Sequence, residues 1–172
     1  MITIISASNR EDNLTASYSK RCKDQLQANK IECKSFYLDE IPDQISLQSV
    51  YDYGNSIFTK YGEELILPAD KLLFVVPEYN GSIPGILKLF IDGIEPKYFK
   101  GKKAALVGVS SGRAGNLRGM DHLTDILHHL QVNVMPQKLP ISKMQEMMGE
   151  GEVADKETLQ AINWQMDLLI NY

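Results

Sequence analysis

Two short stretches constrain the fold more than any other part of the chain: KLLFVVP at residues 71–77 and KAALVGVS at residues 103–110. Each is almost continuously apolar, whereas a strand with one face in water alternates apolar and polar residues. Strands of this kind belong in the interior of a parallel sheet covered on both faces. Further strand-like runs occur at residues 2–6 and 32–38, with a weaker fifth at 132–136. Between and after them lie segments of helical periodicity at 15–29, 56–66, 84–94, 116–130 and 156–170. A β-α unit repeated five times predicts an α/β, doubly wound sheet with right-handed crossovers, whose ligands bind beyond the carboxyl ends of the strands.

The chain has 172 residues, 44% of them hydrophobic, the size of one compact domain over residues 1–172 with an adequate core. A net charge of −4 and no clustered Lys or Arg argue against nucleic-acid binding. No apolar run reaches the ~20 residues that span a bilayer, and the opening MITIISAS lacks the basic start of a signal peptide. The expectation is a cytoplasmic protein without membrane contact. Cys22 and Cys33 form no C-x-x-C pair and have no histidine at metal-ligand spacing, so they read as reduced structural thiols and no metal site is expected. His122, His128 and His129 fall in one helical segment and read as surface or interface residues. Residues 39–56 and 140–155 exceed what a connection needs, and read as lids or as plain surface loops.

Three strand-to-helix loops carry unusual chemistry. The first, SASNREDNLTASYS at residues 6–19, offers Ser6, Ser8, Asn13 and Thr15 beside the free N–H groups of a helix N-terminus, with Arg10 as a cation. Helix capping by Asn13 or Thr15 alone needs one such residue and leaves Ser6, Ser8 and Arg10 unexplained; a phosphate uses them together. Neither the G-x-x-x-x-G-K-[ST] phosphate loop nor the G-x-G-x-x-G dinucleotide pattern follows the first strand. The acidic strand ends of a phosphoacceptor receiver domain are missing too. The second loop, PEYNGSIPG at 77–85, combines an Asn80-Gly81 turn with Tyr79 at its edge and Pro84 opening the next helix. Glu78 reads there as a solvated or loop-stabilising charge. The third, SSGRAG at 110–115, has small residues that let a ligand approach the backbone, with Arg113 as either surface charge or contact.

These motifs resemble the NADPH-dependent FMN reductase family, flavodoxin-like proteins with a G-S-x-R-x-x-S-x-[ST] first loop, a P-E-Y-N-G-S-I-P-G loop and a later S-x-G-x-x-G segment. The resemblance covers essentially the whole chain, with Ala7 where Gly is usual and Asn13 where Ser is common. It implies a five-stranded parallel sheet of order 2-1-3-4-5 with helices on both faces. It also implies that Ser8, Arg10, Asn13 and Thr15 hold the FMN phosphate. Pro77, Glu78, Tyr79, Asn80, Gly81 and Ser82 would border the flavin, and Ser110, Ser111, Gly112 and Gly115 would lie along another side of it. The implied activity is hydride transfer from NADPH or NADH to flavin N5, then electron delivery to a small-molecule acceptor such as a flavin, quinone or azo compound. No side-chain general base is expected, because the cofactor carries the chemistry and backbone N–H groups near 78–82 stabilise the flavin's polar edge. The alternative is a flavin-binding electron carrier or redox-sensing module without substantial turnover.

Association is expected as well. In PGILKLFIDGI, Ile86, Leu87, Leu89, Phe90, Ile91 and Ile94 surround most of a helix, and His122, Ile126 and His129 form a second stripe at helical spacing. A homodimer, or a dimer of dimers, is the expected assembly.

Overall fold

The computed structural model describes residues 1–54 and 56–172, with Ser49 by its backbone alone; Asn55, inside the 39–56 segment, lies outside the described residues. Strands β1 (Ile2–Ser6), β2 (Cys33–Tyr37), β3 (Lys71–Pro77), β4 (Lys103–Val109) and β5 (Asn133–Val134) form a parallel sheet of order β2-β1-β3-β4-β5. The two apolar runs are its central strands, and Leu72 to Val76 are completely buried. Their side chains alternate between two cores. Leu72, Phe74 and Val76 face α2 (Ile57–Tyr61), α3 (Gly85–Gly93) and α4 (Leu117–His129), while Leu73 and Val75 face α1 (Thr15–Ala28) and α5 (Lys156–Asn171).

The helices follow local chemistry. In α4, Met120, Leu123 and Leu127 recur at three- and four-residue spacing and are buried, while polar residues fill the outer face. Asp155 starts α5 by accepting a 2.8 Å hydrogen bond from Thr158 N at its N-terminus. At the other end Lys71 Nζ donates to the Leu169 and Ile170 carbonyls at 2.9 and 2.8 Å, placing a cation where the helix leaves acceptors unpaired.

Three segments depart from the expected elements. The fifth strand at 132–136 is broken: after Val134 the chain bulges around Pro136, which has no N–H to donate, and rejoins the Val107–Val109 part of β4 as β6 (Leu139–Ile141). The 56–66 helix ends as α2 and continues as a wider π turn over Gly62–Ile66, closed by Leu67 N donating to Gly62 O at 2.8 Å. The 140–155 segment is no open loop. It contains β6 residues and a small hairpin, β7 (Met148–Gly149) and β8 (Glu152–Val153), tied to α1 by the Lys20–Glu152 ion pair at 2.6 Å. Among the described residues no helix is long and apolar enough to cross a membrane.

Candidate functional site

The carboxyl ends of β1 and β3 and the chain after β6 converge on a cavity of about 280 Å³. Of the residues anticipated from sequence, Ser8, Arg10, Asn13, Thr15, Pro77 and Tyr79 line it together. Ser8 Oγ lies 3.1 Å from the Tyr79 hydroxyl, which joins the first loop to the second across 71 residues. Asn13 uses both ends of its amide within the loop: Nδ2 donates to Arg10 O at 2.5 Å, and Oδ1 caps α1 by accepting from Ala16 N at 3.0 Å. These two bonds shape the loop, and Asn13 also lines the cavity. Among the described residues no carboxylate pairs with the Arg10 guanidinium. Asp12 also lines the cavity, so directed donors rather than net charge make this end suit an anion.

The second loop is a tight two-residue turn. Tyr79 and Ser82 exchange both backbone hydrogen bonds at 3.0 Å, and Asn80 (φ 52°) and Gly81 (φ 74°) both adopt left-handed conformations, as a hairpin turn of this hand requires. The N–H groups of Tyr79 and Ser82 are thereby committed, as is that of Glu78, which donates to Val109 O at 3.0 Å. The N–H groups of Asn80 and Gly81 have no protein acceptor among the described residues, which narrows the donors expected over 78–82 to the tip of the turn. Ser82 Oγ lies 2.8 Å from His122 Nδ1, so His122 anchors the turn to α4.

In the third loop Ser111 and Gly112 are exposed, and the space above Gly112 is empty. Ser110 and Gly115 sit behind them. Ser110 is buried, its hydroxyl donating to Gly112 O at 3.1 Å. Gly115 packs so closely on β6 that a Cβ there would stand 2.6 Å from Pro140 Cβ. None of Ser110, Ser111, Gly112 and Gly115 lines the 280 Å³ cavity itself. Asn116, fully buried and left-handed, donates through Nδ2 to Val76 O at 2.9 Å and locks this loop to β3.

A family model described as NADPH-dependent FMN reductase matches residues 1–146. The chain belongs to that family. An NAD(P)H-dependent FMN reductase of Pseudomonas aeruginosa is 34% identical over 127 residues, covering 71% of this chain and 69% of the relative. A 2-hydroxy-1,4-benzoquinone reductase of a Burkholderia species is 31% identical over 111 residues, 61% of each chain. Among solved structures, the flavoenzyme NAD(P)H:(acceptor) oxidoreductase of Paracoccus denitrificans superposes with a TM-score of 0.79 at 24% identity, over 99% of this chain and 95% of that one. Membership makes the chain a flavin-dependent oxidoreductase with FMN as cofactor and NAD(P)H as electron donor. The residues present fit that cofactor: an unpaired guanidinium and a helix N-terminus in the cavity suit its phosphate, and, outside the cavity's lining, the open backbone at Gly112 and the N–H groups of Asn80 and Gly81 suit a planar ring with a polar edge.

Several lining residues of this FMN reductase family member were not anticipated: Asp12, Leu14, Met144 and Gln145. The signal for the last two was present in LPI at 139–141. Read as a strand parallel to β4, it brings the following residues to the same carboxyl edge.

Proposed function

We propose that the FMN phosphate is held by Arg10, Ser8, Thr15 and the first turn of α1, in a loop shaped by Asn13. The ring lies between the 77–82 turn and Ser111–Gly112, with the Asn80 and Gly81 N–H groups at its polar edge. When bound, FMN takes electrons from NADPH or NADH and passes them to a small-molecule acceptor, for which the quinone-reducing relative supports a quinone. The chain's own groups bind and orient it. The observation that carries this reading is the cavity joining the Arg10 end of the first loop to the Tyr79 turn, because one ligand with a phosphate and an aromatic ring spans both. The test is anaerobic mixing of FMN-loaded protein with NADPH or NADH. The flavin absorbance is expected to bleach and to return on adding a quinone. Bound flavin that neither nucleotide bleaches would assign the chain to electron carriage instead.

The proposal extends to a homodimer. A cavity of about 500 Å³ lies away from the strand ends, between α3 and α4, where Ile91, Ile94, Ile126 and Leu130 are flanked by Lys88, Asp92 and His129. An apolar groove carrying both charges suits a second copy across a two-fold axis. Residues 1–172 act as one domain, supported by Met1 pairing with Asp70 at 2.7 Å and by Lys71 holding the end of α5. A cytoplasmic location is supported by two free cysteines, Cys22 and Cys33.

A further inference from the structure

We infer that Tyr18 is a positioning residue of the cofactor cavity, its hydroxyl latching the 142–145 wall to α1 and thereby setting how long FMN stays bound. The inference rests on the reading that this cavity holds FMN. Met144 and Gln145 form one side of it, and Arg10, Asn13 and Thr15 the other. Tyr18 stands one helical turn after Thr15 and is completely buried, and its hydroxyl donates to Met144 O at 2.7 Å across 126 residues. Among the described residues this is the one hydrogen bond between α1 and the 142–145 segment. On its far side the segment is stapled to the third loop: Met144 N donates to Ser110 O and Lys143 N to Gly112 O, both at 2.9 Å, and Ser142 Oγ donates to Arg113 O at 2.7 Å. The wall thus bridges the loop proposed for the phosphate and the loop proposed for the ring.

A second feature shows that the wall is held in place. Lys143 has φ 49°, a left-handed conformation that costs a residue with a side chain energy and persists only where its surroundings enforce it. The bonds on either side supply that enforcement. Burial, with a smaller push from Asp155, raises the Tyr18 hydroxyl to about 12, so it remains a donor throughout the neutral range.

The test is the FMN dissociation rate, read as recovery of free-flavin fluorescence after dilution of the FMN-loaded protein. Tyr18→Phe keeps the ring in the core and removes only the hydroxyl. It is expected to speed release by roughly three- to tenfold, the worth of one neutral hydrogen bond. Ser142→Ala loosens the same wall from its exposed side and is expected to act in the same direction. A merely structural role predicts a lower urea midpoint of the apoprotein with an unchanged dissociation rate, and that result overturns the inference. If Tyr18→Phe does not fold, an unchanged rate in Ser142→Ala does so instead. Failure of the FMN reading itself shows separately, as wild-type protein that retains no FMN, and removes the inference with it.

Discussion

Asn13 and Arg10 divide the work of the first loop. With its amide bonded at both ends inside the loop, Asn13 sets the path of the chain, and the guanidinium of Arg10, with no carboxylate partner among the described residues, is the group proposed to meet the phosphate. Arg10→Ala is therefore expected to weaken FMN binding by about 1.5 kcal/mol or more, roughly tenfold, as for a charge-assisted hydrogen bond. Riboflavin, which lacks the phosphate, should lose much less. Paired equilibrium titrations check this, and equal losses for the two flavins would remove Arg10 from the phosphate site. That Ser8, Arg10 and Thr15 line one cavity was legible because they lie within eight residues at one helix N-terminus. The role of Asn116 was not: its left-handed backbone and its bond to Val76 O depend on a strand 40 residues earlier.

At the scale of elements, close approach of α2 to α3 decides how that face is built. A Cβ on Gly93 would stand 2.4 Å from the Phe58 ring carbon Cγ, and Phe58 is completely buried. Gly93→Ala is expected to force the two helices apart and lower stability by about 1–3 kcal/mol, the usual cost of overpacking a filled core. Urea denaturation measures it, and an unchanged midpoint would mean that Phe58 moves freely. The apolar residues of GILKLFIDG made α3 legible as a covered helix. The π turn after α2 was not, because periodicity in GEELI does not distinguish i→i+5 from i→i+4 hydrogen bonding. Nor was the break in the fifth strand, where the chain leaves β4 after Val134 and pairs with it again at Leu139–Ile141, a return that depends on the register against β4.

For the whole molecule, burial separates core from proposed interface more finely than the hydrophobic pattern does. Ile91 and Ile94 line the α3–α4 groove yet are 3% and 1% exposed within a single chain, so they already serve its core. Ile126 is only partly buried and His129 is exposed, whereas His122 of the expected stripe turns to Ser82. Ile126→Glu is thus the sharper probe: a carboxylate placed in the apolar contact should weaken self-association with little change in monomer folding. Sedimentation velocity checks it, and an unaltered dimer would place the interface elsewhere. The sequence by itself determined the interior strands, the doubly wound parallel sheet and the three loops gathered at its carboxyl edge. Those follow from continuous apolar runs alternating with helical periodicity and from glycine, proline and hydroxyl chemistry within runs of about ten residues. Only the tertiary structure decided that Met144 and Gln145 line the cavity, that Gly115 packs on β6, and that Tyr18 bonds Met144 and Asn116 bonds Val76. Each of these depends on partners 25 to 126 residues away, brought together by sheet order and packing, for which no local pattern carries a signal.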